Sequence, residues 1–433
     1  MTALSRLGKC GSALRPADCG YMRVLSALAS AALCACSSSR PSPTGAALPP
    51  CDVLPLVGRA VPSALAADEA GGIALAGTAS GTQLRAGSAL LESAGAFVLR
   101  ADAAGRVSWI RGLGAVRPLA EAIAPDGSVY VVGQARKQCF AARLAAGDGK
   151  EIWTSRLAGD GESACRAVAL DPKTGDLWAV GEFTGSLGPA RSAGMTDAFV
   201  LRISGATGEM RLVRTFGGKG ADTASAVAVT PMGEAIVAGA FGADVDASIA
   251  EVNFGRGVVR GAGEGDGYLL ALSPEGGTRW LSVVGEFGDD EVVAVTARGG
   301  GVYAAANAHR ERKGAQCGGQ VLVMRKAEWV QVLEDECASA KAAAFDDAAR
   351  LWVLEHAGSA LRARAYSPRD GEPLGMRTWA GESASVRGTG IVQVPGGFAV
   401  AALTDGEAIA CGRPVGSAGE QAAFVIWVRD LSP

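Results

Sequence analysis

Recurrence constrains this chain more than any other property. From Asp197 to Gly239 it reads DAFVLRISGATGEMRLVRTFGG and then KGADTASAVAVTPMGEAIVAG: strand, glycine turn, strand, small-residue connection, strand, glycine turn, strand. The clearest landmark is a short apolar run after a turn residue. It stands at IALAG from Ile73, VYVVG from Val129, LWAVG from Leu177 and AIVAG from Ala235, with weaker copies VYAAA from Val302, LWVLE from Leu351 and FAVAA from Phe398. The first residues of these runs are spaced by 56, 48, 58, 67, 49 and 47. Runs this short, apolar and bounded by breakers read as buried strands rather than helices.

A second strand follows each run, around Phe97, Phe140, Phe199, Tyr268, Val321, Leu361 and Phe424. A third landmark comes after another turn, occupied by Trp109, Trp153, Trp280, Trp329 and Trp379, and by Val213 in a sixth copy. Four strands per unit, repeated radially, predict an all-β fold, a seven-bladed β-propeller with four-stranded blades, each covering the next. The last unit runs out after Phe424 without room for its fourth strand. Asp52–Gly58 (DVLPLVG) resembles the fourth-strand endings elsewhere, yet no unit precedes it. The N-terminal strand is therefore expected to complete the last blade and satisfy the backbone at both chain ends.

By length alone, 433 residues would suggest two or three domains, which the repeat overrides. The 61 glycines are roughly twice the average share of about 7%, as turn-rich β structure requires. Charge is nearly balanced, at 41 basic and 44 acidic residues. Without residues 1–35, which carry four basic side chains and one acid, 37 and 43 remain, a net −6. No basic stripe with interleaved aromatics is present, so no nucleic-acid partner is expected.

Residues 1–36 read as an export signal. Arg23 precedes the apolar stretch Val24–Leu33, too short to span a bilayer. The stretch ends in Leu33-Cys34-Ala35-Cys36, which resembles a bacterial lipoprotein box with Cys36 as the lipidated residue. An ordinary secretory signal cleaved nearby is the alternative, and Met22 is a second candidate start. If Cys36 is lipidated, Ser37 implies the outer membrane by likeness to other lipoproteins, with the protein facing the periplasm or the cell surface. Residues 37–50 (SSSRPSPTGAALPP) read as a solvated tether, and residues 51–433 as the propeller.

DAFVLR with a glycine turn, then FGGxGxDxAxxVAV, resembles the SBBP-type β-propeller repeat of exported bacterial proteins and lipoproteins. The resemblance is strongest over Asp160–Gly285 and degenerate over 286–433. It implies an exported propeller and carries no family-wide catalytic residues. LAAGDGKEIW (Leu144–Trp153) and ADAAGRVSW (Ala101–Trp109) are similar to the tryptophan-docking repeat of quinoprotein-type propellers.

No catalytic constellation is visible: His309 and His356 lie in different units, and no nucleophile elbow, P-loop or HExxH stretch occurs. No cofactor or metal is expected. Calcium is the alternative to plain solvated turns at Asp289-Asp290-Glu291, Glu334-Asp335-Glu336, Asp346-Asp347, Asp160-Gly161 and Asp266-Gly267, although none has EF-hand spacing. The connections between second and third strands vary most, being short after Gly133 and longest between Gly239 and Asp266. Insertions in repeat folds tend to lie on the binding face. Phe183, Phe241, Asn253, Phe254, Arg256, Arg260, His309, Arg310 and Arg312 are therefore the candidate binding residues, with tolerated surface insertion as the competing explanation.

Six cysteines follow Cys36: Cys51, Cys139, Cys165, Cys317, Cys337 and Cys411. An even number in an exported chain suggests disulfides; buried thiols in a reduced protein are the alternative. Cys139 and Cys317 each precede a third strand, and Cys165 and Cys337 each begin the following unit, so Cys139–Cys165 and Cys317–Cys337 are repeat-equivalent pairs. The remaining pair, Cys51–Cys411, would fasten the closing strand, although Cys51 precedes its strand and so belongs near the face opposite the loop of Cys411.

The function expected is a lipid-anchored binding or scaffolding module at the bacterial cell envelope. It would act as a monomer on a protein or glycan partner, meeting the membrane only through its lipid. Second comes an outer-membrane assembly factor resembling quinoprotein-like lipoprotein propellers. A propeller hydrolase is third; three or more carboxylates at the channel mouth would favour it, and an exposed apolar blade edge would favour partner binding.

Overall fold

In the computed structural model the described residues are 51–431, apart from 245–249, 286–287, 310–318, 326–328, 333–337, 381–383, 418 and 430, with the backbone alone at 309, 319–325 and 329–332. Contacts divide the chain into Met1–Ala47 and Leu48–Pro433, and the second unit holds everything that follows. Cys36, Arg310, Arg312, Cys317, Cys337 and the acidic run from Glu334 to Glu336 lie outside the described residues.

Blade I comprises Ala60–Ala67, Ile73–Ala79, Gly95–Ala101 and Val107–Gly114; blade II comprises Val116–Ile123, Val129–Ala135, Gln138–Leu144 and Glu151–Arg156. Blade III comprises Ser163–Leu170, Leu177–Phe183, Asp197–Ile203 and Met210–Phe216; blade IV comprises Ala221–Val229, Ala235–Ala243, Asp266–Leu272 and Thr278–Val284. Blade V comprises Asp290–Arg298, Gly301–His309, Gly319–Arg325 and Trp329–Val332; blade VI comprises Ser339–Phe345, Leu351–Ala357, Ala360–Tyr366 and Pro373–Ala380. Each is an antiparallel meander whose first strand is innermost. The inner strands contact one another in succession, and Ala60–Ala67 meets both Val116–Ile123 and Val386–Val394, so the ring closes around a central channel.

The expectation of seven four-stranded blades is corrected: among the described residues six sheets are four-stranded blades, the sheet that closes the ring has six strands, and three two-stranded hairpins complete the set. This closing sheet orders Val386–Val394, Gly397–Thr404, Ala422–Val428, Cys51–Val57, Leu84–Ala86 and Ala89–Leu91. Cys51–Val57 runs antiparallel to Ala422–Val428, with Cys51 opposite Val428 and Leu56 opposite Ala423. Its outer edge would otherwise expose unpaired N–H and C=O groups. A hairpin from blade I takes that edge, pairing Ala86 with Leu56 and Arg85 with Val57, which is why the sheet outgrows a blade.

The glycine that ends each strong landmark has a steric cause. Every inner strand carries a register shift opposite the end of its second strand, as between Pro118 and Ala120 or Ala224 and Ala226. The bulge drives a carbonyl oxygen towards the partner. A Cβ on Gly133, Gly181 or Gly239 would lie 2.0, 1.8 or 2.0 Å from the carbonyl oxygen of Arg117, Ala164 or Thr223.

Blades pack through cores at each interface, such as Phe199, Leu201, Tyr130 and Val132 between blades II and III. Outer-strand tryptophans reach across. Trp109 Nε1 donates to the carbonyl of Ala146 at 2.8 Å, and Trp153 Nε1 to that of Gly205 at 3.1 Å. Each indole lies over a turn glycine of the next blade, Gly149 (φ 68°) or Gly208 (φ 75°), where a Cβ would come within 2.6 or 2.7 Å of the ring.

Two disulfides are present among the described residues. Cys139–Cys165 joins blades II and III with a Cα separation of 5.0 Å, at the positions the repeat implied. Cys51–Cys411 also forms, with a Cα separation of 5.5 Å. The expected opposition of faces is overcome because the connection after Thr404 folds into a hairpin, Ala408–Ala410 with Arg413–Val415, whose turn holds Cys411. The hairpin lies along the closing sheet, where Arg413 meets Asp52 at 3.2 Å, and so reaches the beginning of the strand. Cys51→Ser and Cys411→Ser are each expected to lower stability by up to about 5 kcal/mol, since the bond closes a very long loop. The double variant should lose no more than either single one in calorimetry without reductant.

Candidate binding face and central channel

The channel wall is built from the inner strands. One cavity of about 640 Å³ is lined by Leu65, Ala122, Val227, Ala297, Phe345 and Ile391 among others. A neighbouring cavity of about 290 Å³ adds Leu119, Ala167, Val293, Lys341 and Thr389. Glu121 lines both and is the sole carboxylate among the described residues that do.

Glu121 is out of character with its column. The second paired residue after each bulge is Leu65, Glu121, Val168, Val227, Val295, Ala343 or Ile391. Six are apolar and one is a carboxylic acid, 7% exposed, neither of whose oxygens has a hydrogen-bond partner of good geometry. Burial pushes its pKa well above the carboxylate range, and the backbone of Ala76 and Ala66 and the charge of Arg100 offset only part of this. Aligning the repeats would have exposed the anomaly, because a lone acid in an apolar column is visible in sequence.

At one rim, a cavity of about 420 Å³ gathers Asp68, Glu69 and Asp347. Two of these are committed to the fold. Asp68 binds Arg100 and accepts from Gly72 N at 2.8 Å. Asp347 accepts from Gln393 Nε2 at 2.7 Å and Gly396 N at 2.6 Å. Among the described residues no group of three or more His, Cys, Asp or Glu is arranged to hold a metal ion. Asp346 is tied to Arg350 and Trp352, and Asp160 accepts from Ser186 N.

Among the described residues, the candidate binding residues do not assemble into a face. Phe183, Phe241 and Phe254 are buried. Phe254 stands at ring-centroid distances of 5.7, 5.6 and 4.8 Å from Phe216, Phe241 and Tyr268. It is carried there by the hairpin Glu251–Asn253 with Val258–Arg260, which inserts its apolar side between blades III and IV. Leu187 does the same between blades II and III, and Leu84 between the closing sheet and blade I. The insertions therefore staple neighbouring blades, a role that loop length alone does not reveal. Asn253 accepts from Gly255 N at 2.8 Å, Arg256 donates to the Arg279 carbonyl, and Arg260 pairs with Glu251 at 2.6 Å. His309 ends the second strand of blade V, and His356 lies in the second strand of blade VI.

The aspartates of the repeat clamp these connections. Asp197 accepts from Ala193 N and Ser192 Oγ, both at 3.1 Å. Asp222 accepts from Gly218 N at 2.7 Å and Gly242 N at 2.9 Å. Asp266 accepts from Ala262 N at 2.9 Å. Burial, reinforced by the charge of Asp197 and opposed by the two backbone N–H groups, pushes Asp222 up to about 6.

Neither a protein-family model nor a curated protein matches the chain. Similar solved structures include U3-55K, at 13% identity over 86% of this chain and 98% of that one, with a TM-score of 0.49. The Pan2 WD40 domain of Neurospora crassa is 10% identical over 86% of this chain and 90% of that one, with a TM-score of 0.49. YCF48 bound to D1 peptide is 11% identical over 88% and 96%, with a TM-score of 0.46. Such likeness concerns the fold alone. The β-propeller itself follows from the sheet order and the closed ring of inner strands.

Glu121→Leu is expected to raise stability at pH 7 by about 2 kcal/mol, by removing an unsatisfied buried polar group. The gain should shrink towards pH 4, where the unfolded chain also carries the proton. Asp222 acts in the same sense. Its folded pKa lies above its ordinary value, so its contribution is complete below about pH 4 and is lost as pH rises through about 6. Asp222→Asn should flatten that part of the stability profile, measured as thermal midpoint against pH.

Proposed function

We propose that this chain is an exported, lipid-anchored propeller that binds or scaffolds a partner at the bacterial cell envelope. The fold supports the coarser half of this reading, since a propeller is a rigid ring in which only the short outer edge of a blade is left to pair with another chain. The observation that carries it is the outer strand of blade VI, Pro373–Ala380. One edge pairs with Ala360–Tyr366, and among the described residues nothing pairs with the other. Leu374 and Met376, alternate residues on one side of that strand, are 49% and 47% exposed. A free strand edge flanked by apolar side chains is a template for an added strand from a partner.

Export draws support from the two disulfides, which persist in oxidising compartments. The anchor rests on Val24–Leu33 and Cys36, and kinship with the SBBP-type repeat on the Asp197–Gly239 phrase. Catalysis is not part of this reading: of the three carboxylates gathered at one rim, Asp68 and Asp347 are committed to Arg100, Gln393 and backbone N–H groups, and Glu121 is buried in the channel wall. An assembly role resembling that of quinoprotein-like lipoprotein propellers is the second reading, favoured by the docking of Trp109 and Trp153 on the next blade.

In affinity capture from envelope extracts, the pair Leu374→Lys and Met376→Lys should reduce partner recovery by about tenfold, the loss of a few apolar contacts, with an unchanged thermal midpoint. Undiminished recovery would remove the blade VI edge from the reading. Cys36→Ser should shift the protein from the membrane fraction to the soluble periplasm, and unchanged fractionation would exclude lipidation at that residue.

A further inference from the structure

In blades III and IV the connection between second and third strands carries an apolar side chain back into the groove beside the preceding blade. Phe254 of blade IV fills its groove against Phe241 and Tyr268 of its own blade and Phe216, which ends the outer strand of blade III. In blade II two residues alone, Arg136 and Lys137, join these strands, in a tight turn with φ of 50° and 70°. Nothing from that connection reaches back towards blade I. The register shows which residues stand where the rings of the III–IV seam stand. Ala135 lies two residues after Gly133 and opposite Gln138, as Phe241 lies two after Gly239 and opposite Asp266. Phe140 is opposite Gly133, as Tyr268 is opposite Gly239. Gly114 is opposite Ala96, as Phe216 is opposite Ala198. An alanine and a glycine thus replace two of the rings, and a Cβ on Gly114 would meet nothing within 4 Å. The groove stays open as a cavity of about 310 Å³, lined by Leu113 of blade I and by Val116, Ala135, Phe140, Ala142 and Leu144 of blade II. Its mouth carries Arg111, Lys150 and Arg156 against one lining acid, Glu151. Asp148 holds the first two cations in place: its carbonyl accepts from Arg111 Nε at 2.5 Å and its carboxylate pairs with Lys150 at 2.8 Å. Arg156 is exposed.

We propose that the seam between blades I and II is a docking pocket for a loop or hairpin of a partner protein, which inserts a Phe or Leu side chain flanked by acidic residues. The partner supplies from outside the staple that the chain supplies for itself at the seams of Phe254 and Leu187. A preformed apolar pocket takes a large side chain at little cost in ordering, and such anchors carry most of the energy of an interface. Carboxylates beside the anchor meet the guanidinium groups of Arg111 and Arg156 at the mouth. The inference rests on reading this chain as a binding module, and not on the blade VI edge, which belongs to a different part of the ring.

The test is calorimetric titration of the full chain with a cyclised hairpin peptide that presents Asp-Phe-Asp at its turn. Matched peptides with Asp-Gly-Asp and Lys-Phe-Lys, and free 3-phenylpropionate, serve as comparisons. The Asp-Phe-Asp peptide should bind about tenfold or more tightly than any of the three, the margin that one buried anchor or its flanking charges provide. Ala135→Phe places in blade II the ring that blades III and IV carry at that position as Phe183 and Phe241. It should abolish binding of the peptide while leaving the thermal midpoint unchanged or higher. Arg156→Glu should weaken the Asp-Phe-Asp peptide by about tenfold and narrow its advantage over Lys-Phe-Lys. The Leu374→Lys, Met376→Lys pair should bind the peptide normally, so failure here and failure of the blade VI edge are told apart. Equal affinity for the three peptides would overturn the proposal, as would binding that survives Ala135→Phe or Arg156→Glu undiminished. Phenylpropionate binding as tightly as the peptide would also overturn it, in favour of a small free acid.

Discussion

The antiparallel pairing of Cys51–Val57 with Ala422–Val428 is the contact on which the ring depends. A radial array of sheets is stable only when its last member is covered like the others, and here the cover joins the two ends of the propeller. Three devices reinforce it. The pairing satisfies the backbone of Ala422–Val428, the Leu84–Leu91 hairpin occupies the far edge, and Cys51–Cys411 adds a covalent bond. The same backbone requirement that makes an open edge costly thus explains the closure and the departure of this sheet from a four-stranded blade.

Around that ring, the insertions serve packing before they serve recognition. A connection that must cross from one blade's second strand to its third can fold into a hairpin, and an apolar residue on the hairpin then fills the groove beside the preceding blade. Phe254, Leu187 and Leu84 do this at different interfaces. With aromatics at only 6% of the chain, blades packed by alanine, valine and leucine gain from such staples. Burying a Phe side chain is worth about 2 to 3 kcal/mol.

Polar groups buried in this apolar frame fall into two kinds. Asp197, Asp222 and Asp266 accept backbone N–H groups and hold connections in place, which offsets much of their desolvation. For Glu121 the compensation is smaller: the backbone of Ala76 and Ala66 and the charge of Arg100 offset only part of its desolvation. Both oxygens of Glu121 are buried, so its cost falls on the fold itself.

The sequence by itself determined the class of fold and the strand order within each unit, because short apolar runs buried on both faces and glycine at a sterically closed position are local necessities. It also carried the Cys139–Cys165 pairing, since a repeat places equivalent residues in equivalent places. It overstated the regularity of the last sheet, because the Leu84–Leu91 hairpin belongs in sequence to blade I and joins the closing sheet only in space. It marked Phe183, Phe241 and Phe254 for recognition, because loop length does not tell which way an aromatic side chain turns. Only the tertiary structure decided how Cys411 reaches Cys51, because the hairpin that carries Cys411 folds back towards the start of the closing strand, and that approach is a property of distance in space rather than along the chain.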